Sequence, residues 1–185
     1  MRYEKLVCVG LYKTGTSTFA ECCRILGLNL CPESVGYKHT LPLNDALKIY
    51  QAFEDYPWFV ADTYQTIRER FPNTGFLLTS RDPERWYESF RRWLGVNVHL
   101  PNTGLETVFG DCLKPLDRER AIECFNTHNR DVEHYFSGQD NFLKVDWEAG
   151  DGWNELCNWL SVPTPPCKFP HMLRYDTETN TYTNS

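Results

Sequence analysis

The stretch that decides the fold lies near the start of the chain and reads Leu6-Val7-Cys8-Val9-Gly10-Leu11-Tyr12-Lys13-Thr14-Gly15-Thr16-Ser17-Thr18-Phe19. The apolar run 6–9 is typical of a buried strand, and apolar residues then recur at helical spacing from Phe19 to Gly27, a residue suited to a left-handed helix end. The loop between them carries two glycines, one lysine and four hydroxyl side chains. A helix start offers N–H groups and the positive end of a dipole to an anion. The stretch therefore predicts a strand, an anion-binding loop and a helix.

The position of the lysine distinguishes this loop from the phosphate loop of ordinary NTPases. A Walker A loop reads G-x-x-x-x-G-K-[ST]. Gly10 and Gly15 have that spacing, but Thr16 stands where the lysine belongs, and Lys13 precedes the second glycine. Taken alone, the loop leaves two interpretations open, a phosphate site and a plain strand–helix turn.

Composition limits the class of protein. The chain has 185 residues, of which 41% are hydrophobic and 15% aromatic, which is typical of one globular domain. We expect that domain to span 1–173, followed by a polar tail, 174–185. A net charge of −6 without a basic face argues against a nucleic-acid binder. No apolar run approaches the roughly 20 residues of a membrane helix, and no secretory signal opens the chain, so we expect a cytoplasmic protein.

The cysteines indicate buried thiols. The chain has eight of them, but Cys22 and Cys23 are adjacent and no C-x-x-C pair occurs. With neither zinc nor redox spacing, we expect no metal site.

Strand and helix patterns alternate along the chain. In addition to the opening stretch, the patterns predict strands at 58–61, 75–79 and 142–146, and helices at 45–53, 63–71, from 83, at 117–136 and from 151. This alternation predicts an α/β fold, a three-layer α/β/α arrangement with a central, mostly parallel sheet of the P-loop nucleotide-binding type. Ligands bind beyond the carboxyl ends of such strands. That rule predicts that the Lys13 loop, Asp62, Arg81 and Asp146 lie around one crevice.

A second motif follows the third predicted strand. Arg81 ends the strand region, Asp82 and Pro83 make a well-formed helix start, and Ser89 lies eight residues after Arg81. A guanidinium and a hydroxyl at this spacing can converge on one phosphate.

The two motifs together resemble the sulfotransferases. Lys13-Thr14-Gly15-Thr16-Ser17 resembles their K-[ST]-G-[ST]-[ST] loop, which cradles the 5′-phosphosulfate of 3′-phosphoadenosine 5′-phosphosulfate (PAPS). Arg81 and Ser89 match the R-x7-S pair that holds the 3′-phosphate in that family. Segments 71–89 and 151–170 are similar to the compact microbial P-loop sulfotransferase-like proteins, so the resemblance touches most of the chain. The family's R-K-G stretch is absent, and Lys168, His171 and Arg174 are weak candidates to replace it.

The resemblance implies a PAPS-dependent enzyme that moves a sulfuryl group to an acceptor hydroxyl or amine by in-line displacement. Lys13 would neutralise the leaving oxygen, and the transfer needs no metal. The implied partner is a small-molecule or glycan acceptor, with neither nucleic acid nor membrane. The implied cofactor-binding residues are Lys13, Thr14, Gly15, Thr16, Ser17, Thr18, Arg81 and Ser89.

The acceptor needs a general base. Asp62, at the end of the predicted strand 58–61, is the first candidate, although it fits equally well as a helix N-cap. His39 is the next candidate, and His99 and Glu33 are weaker.

Two other classes stay open on the sequence. A nucleotide kinase or NTPase using Mg-ATP would take Asp62 or Asp146 as a Walker B acid, although the displaced lysine counts against it. The second class is a binding module that has the same fold but no catalytic activity.

Overall fold

A parallel four-stranded sheet forms the centre of the fold. In the computed structural model, which describes residues 1–33, 35, 40–97, 104–110, 117–172, 174–176 and 181–183, its strands are β1 (Lys5–Cys8), β2 (Ala52–Phe53), β3 (Thr74–Thr79) and β4 (Phe142–Val145). They lie in the order β2-β1-β3-β4, and every neighbouring pair is parallel. The predicted α/β class with a parallel sheet is confirmed. The loop after β1 thus emerges in the middle of the sheet's carboxyl edge.

Helices connect the strands. They are α1 (Thr16–Ile25), α2 (Leu43–Ile49), α3 (Ala61–Arg70), α4 (Pro83–Asn97), α5 (Leu105–Phe109), α6 (Arg118–Tyr135) and α7 (Trp153–Leu160). A separate antiparallel pair, β5 (Arg174–Asp176) and β6 (Thr181–Thr183), lies within the segment predicted as a polar tail. Among the described helices, none combines the length and the apolar character needed to cross a membrane.

The two faces of the sheet bury different sets of helices, because successive strand residues point to opposite sides. Leu6 and Cys8 of β1 pack in one core cluster with residues of α1 and α7. Val7 of β1 packs in a second cluster with residues of α2, α3 and α6. The result is the three-layer arrangement that the alternation predicts.

The segment between α2 and α3 differs from its prediction. The helix predicted to reach residue 53 ends at Ile49, and Ala52–Phe53 instead pairs with Leu6 and Val7 of β1. The strand predicted at 58–61 is wrong, since residues 57–59 form a turn and α3 begins at Ala61. Trp58 and Phe59 gave the strand-like pattern because both are buried, but they are buried within a turn. The ring centroids of Trp58 and Phe53 are 4.5 Å apart.

Two of the predicted helix N-caps are present, and a third differs from its prediction. Asp82 Oδ1 accepts a hydrogen bond from the Arg85 amide at 2.9 Å, and Asp117 caps α6 through the Arg120 amide at 3.0 Å. Asp151 was expected to start the last helix, but its carboxylate accepts instead from the Asp146 amide at 2.7 Å. Gly152 precedes α7 as its N-cap.

The cysteines in the described residues are free thiols. The buried ones are Cys8, Cys22, Cys23, Cys31 and Cys157. The predicted role as small buried side chains holds for these five.

Gly10, two residues after β1, lies against Thr79 at the end of β3, and this contact generates a stability prediction. A Cβ there would lie 2.0 Å from Thr79 Oγ1 and 2.7 Å from the Thr79 carbonyl oxygen, so side-chain motion cannot relieve the clash. We expect Gly10→Ala to lower the free energy of unfolding by about 2 kcal/mol or more in urea denaturation.

Gly95→Ala is the matched control for this experiment. A Cβ at Gly95 meets nothing within 4 Å, and the residue lies in α4. Alanine there should raise the free energy of unfolding by roughly 0.5–1 kcal/mol. Equal stabilities of Gly10→Ala and the wild type would contradict the close approach.

Candidate functional site

The loop between β1 and α1 is fixed through its carbonyl groups. Four of them accept hydrogen bonds from side chains: Leu11 from Thr14 (2.6 Å), Tyr12 from Trp86 (2.8 Å), Lys13 from Arg81 (2.8 Å) and Gly15 from Trp147 (3.3 Å). The opening N–H groups of α1 have no partner within the helix, as at any helix start. Lys13 and Gly15 have positive φ angles of 67° and 99°, and left-handed residues of this kind build concave, N–H-lined anion sites.

Glycine is required at position 15 for two reasons. Its φ of 99° is unfavourable for other residues, and a Cβ there would lie 2.5 Å from Cδ1 of Trp147. The indole of Trp147 therefore packs directly on the loop backbone. This close approach shapes one wall of the site.

The loop hydroxyls have different surroundings. The Thr14 hydroxyl is buried and donates to the Leu11 carbonyl, and it shares a second hydrogen bond of 2.6 Å with the Thr79 hydroxyl. The Thr16 hydroxyl donates to Oδ1 of Asp55 at 2.7 Å, and the Thr18 hydroxyl accepts from the Met172 amide at 3.2 Å. Ser17 is half-buried in the first turn of α1. The cofactor-binding roles of Thr14, Thr16, Ser17 and Thr18 stay predictions.

Three cations come together beside the loop: Lys13, Arg81 and Arg92. Burial lowers the pKa of Lys13 to about 8, Asp55 opposes this shift, and the charges of Arg81 and Arg92 add to it. Burial also lowers the pKa of Arg81, with Glu148 opposing and Arg92 again contributing. Partly buried cations that repel one another are typical of a site that receives an anion.

Arg81 joins the loop to the turn after β4. Besides its bond to the Lys13 carbonyl, its guanidinium pairs with the Glu148 carboxylate, which also lies 3.5 Å from Arg85. Its Nε is buried and makes no hydrogen bond to any residue that the structure describes. An acidic side chain therefore occupies part of the guanidinium fork, in the position where a phosphate oxygen would bind.

The other predicted residues are distributed as follows. Ser89 is buried on α4. Asp62 is exposed in the first turn of α3, and Val60 is the N-cap of that helix. Asp62 therefore neither ends a strand nor caps α3. Asp146 follows β4, and its carboxylate binds the amides of the turn 148–149. His39 and His99 lie outside the described residues.

Sequence reasoning missed three charged residues at this edge of the sheet. Glu54 and Asp55 directly follow β2, and Asp55 bonds to the loop through Thr16. An apolar pair followed by two acids was the available signal, but the segment was assigned to a helix. Arg92 lies one helical turn after Ser89 on α4, a spacing that places both on one side of the helix.

The described residues contain no group of three or more His, Cys, Asp or Glu side chains able to hold a metal ion. Of the residues suggested in place of the missing R-K-G stretch, Lys168 is exposed, and the ring of His171 packs against that of Phe169 with the centroids 5.7 Å apart. Arg174 belongs to β5.

The fold and the three cations define an α/β protein with a candidate anion site at the carboxyl edge of a parallel sheet. The family model described as "sulfotransferase domain" matches residues 36–176, and the chain belongs to this family. The matched region includes Asp55, Arg81, Ser89 and Arg92, and the Lys13 loop precedes it. The resemblance stated from the motifs is confirmed.

A curated relative is Ava biosynthesis cluster protein M of Aspergillus versicolor. It is 22% identical over 154 residues, which cover 66% of this chain and 56% of that protein. The chain thus spans little more than half the length of the curated relative that it matches.

The charges around Lys13 generate a titration prediction. Its ammonium should lose its proton as pH rises through about 8, as followed by NMR of the lysine side chain. Asp55→Asn should lower the Lys13 pKa further, because it removes the opposing carboxylate, and Arg92→Gln should raise it. Anion binding that needs the charged amine should be complete below this pKa and weaken above it.

Asp140→Asn serves as the control for this titration, since Asp140 precedes β4 at the opposite edge of the sheet and pairs with Arg2. It should leave the Lys13 curve unchanged. A Lys13 midpoint that does not respond to Asp55 or Arg92 would contradict the arrangement of charges.

Proposed function

We propose that this protein is a PAPS-dependent sulfotransferase that moves a sulfuryl group to an acceptor hydroxyl or amine by in-line displacement. The observation that carries the proposal is the convergence of Lys13, Arg81 and Arg92 beside the loop after β1. Membership of the sulfotransferase domain family makes a sulfuryl donor the natural anion for this site. The acceptor is proposed to be a small molecule or a glycan.

The residues present fit a cofactor with two phosphate groups. The N–H groups at the start of α1 and the Lys13 ammonium would hold the 5′-phosphosulfate. Arg81, with its buried and unbonded Nε, and Ser89 would hold the 3′-phosphate. Arg92, one turn after Ser89 on α4, would be a second cation for that phosphate in a chain that lacks the R-K-G stretch.

Lys13 has a second task beyond binding. When bound, PAPS supplies an activated sulfuryl group and a phosphate leaving group. Negative charge grows on the oxygen that bridges sulfur and phosphorus, and a positioned ammonium stabilises that charge without reorganisation. Burial lowers the pKa of Lys13 to about 8, so the amine is partly stripped of water but still mostly protonated at pH 7.

The direct test compares two variants by two measurements. Arg81→Ala should weaken binding of adenosine 3′,5′-bisphosphate at least about tenfold in calorimetry, because it removes a charge-assisted pair. Lys13→Ala should lower transfer of radiolabelled sulfate from PAPS at least about 100-fold, since it removes stabilisation of the leaving oxygen. Lys144→Ala is the control, since Lys144 is an exposed partner of Glu133.

The same calorimetry separates the alternatives. Tight, magnesium-dependent binding of ATP with no response to the bisphosphate would overturn the proposal in favour of an NTPase. Bisphosphate binding without label transfer to any acceptor in a panel would favour a binding module.

The Glu148 carboxylate on Arg81 generates a further prediction. Glu148→Gln should tighten bisphosphate binding by about three- to tenfold, because a neutral amide competes less well with a phosphate for the guanidinium. Glu133→Gln is matched to it, since the Glu133 and Glu148 side chains are 41% and 40% exposed and both pair with a cation. Weaker binding by Glu148→Gln would instead mean that Glu148 orients Arg81.

The cytoplasmic location, the domain bounds 1–173 and the tail 174–185 stay predictions.

A further inference from the structure

We propose that Asp55 is the general base of the transfer and that Glu54 is a positioning residue that keeps the negative charge of the pair on Asp55. This inference rests on the proposed function. It replaces Asp62, the base suggested by the sequence, with an acid seven residues earlier in the chain. Asp55 bonds to Thr16 of α1, whereas Asp62 is exposed on α3.

The sheet brings Asp55 to the loop. Because β2 pairs in parallel with β1, the residues after Phe53 leave the sheet at the same edge as Gly10 and the loop. Oδ1 of Asp55 accepts the Thr16 hydroxyl at 2.7 Å, at the first residue of α1. Asp55 has a φ of 61°, a conformation that asparagine and aspartate tolerate better than most residues.

The charge on Asp55 suits a base. Asp55 opposes the lowering of the Lys13 pKa, so its carboxylate acts electrostatically on the Lys13 amine. A neighbouring cation favours the ionised form of a carboxylate. A general base must come within hydrogen-bond reach of the acceptor hydroxyl, and we assign that task to the Asp55 carboxylate.

Glu54 supports this state of Asp55. Its Oε2 is buried and makes no hydrogen bond to any described residue. Burial, together with the adjacent Asp55, raises the pKa of Glu54 well above its usual range. Two neighbouring carboxyl groups share one charge more readily than they carry two, so a neutral Glu54 leaves that charge on Asp55.

Other titratable groups near the pair are less suited to the role. His128 is buried on α6, and its Nε2 lies 2.7 Å from the Val9 carbonyl oxygen, to which it donates. The remaining titratable or charged groups that act on the pair or on Lys13 are Cys8, Cys23, Cys31, Glu33, Arg81 and Arg92. Burial raises the pKa of Cys8, Cys23 and Cys31, so these thiols are neutral at neutral pH.

The step balances without any further reactant. The acceptor O–H bond breaks and its proton passes to a carboxylate oxygen of Asp55. The acceptor oxygen forms a bond to sulfur as the bond from sulfur to the bridging oxygen breaks. The bisphosphate leaves with that electron pair beside the Lys13 ammonium, and the Asp55 proton returns to water after release.

Asp55→Asn is the primary test. Asparagine keeps the size of the side chain, tolerates the left-handed backbone and still accepts the Thr16 hydroxyl, so the fold and the loop should be retained. We expect adenosine 3′,5′-bisphosphate to bind within about threefold of the wild-type affinity. Release of labelled sulfate from PAPS to water and to weakly acidic phenols should fall about 100-fold or more.

Two readouts distinguish a base from a structural residue. The loss should be greatest for the least acidic phenol and nearly absent for p-nitrophenol, whose proton needs little help to leave. Formate should restore part of the activity of Asp55→Gly, since glycine also accepts the left-handed backbone and leaves room for a carboxylate. Glu54→Gln carries an amide that cannot ionise, so it should alter the alkaline side of the pH–rate profile, whereas a purely structural loss would lower the rate equally at every pH.

Comparison variants decide between the carboxylates. Asp140→Asn should have no effect, since Asp140 lies at the far edge of the sheet. A loss in Asp62→Asn with none in Asp55→Asn would overturn the assignment, as would an equal loss for every phenol without rescue by formate. A wild type that does not bind the bisphosphate, or that binds it yet releases no label to any acceptor, refutes the proposed function itself, whereas full transfer by Asp55→Asn overturns only the assignment of the base.

Discussion

The hydrogen bond from the Arg81 guanidinium to the Lys13 carbonyl oxygen is the contact on which the site depends. It links the end of β3 to the loop after β1, so the two segments that carry the cations cannot move independently. Trp86 acts in the same way on the neighbouring carbonyl of Tyr12. With these carbonyl groups turned toward β3 and α4, the opposite side of the loop is left to N–H groups and to the amine of Lys13. The candidate anion site thus follows from how the loop carbonyls are satisfied.

This arrangement costs stability when no anion is bound. Burial and repulsion by Arg81 and Arg92 lower the pKa of Lys13, which means that the folded protein disfavours the charged amine. Glu148 relieves part of the same repulsion at Arg81. Partly buried cations that repel one another are typical of sites that bind a multiply charged ligand.

The sequence identified the parts of the fold that local chemistry decides. The strand before Gly10, the left-handed Gly27 and the caps of Asp82 and Asp117 all depend on residues close in the chain, and each is present. The two-residue strand β2 depends instead on pairing with β1, and its apolar residues fit a helical stripe equally well. That error displaced the predicted strand end from Glu54–Asp55 to Asp62. Arg92 was missed for a related reason, since its relevance arises only when α4 packs beside the loop.

The order of the strands explains why acids and cations flank the loop on different sides. β1 lies between β2 and β3, so the chain after β3 brings Arg81 and α4 to one side of the loop, and the chain after β2 brings Glu54 and Asp55 to the other. An in-line displacement needs this polarity, because positive charge must meet the leaving oxygen while a proton acceptor faces the incoming group. Lys13 lies between the two sides and interacts electrostatically with both Asp55 and Arg81. A sheet with β2 and β3 on the same side of β1 would place the carboxylates on the side of Arg81 and Arg92.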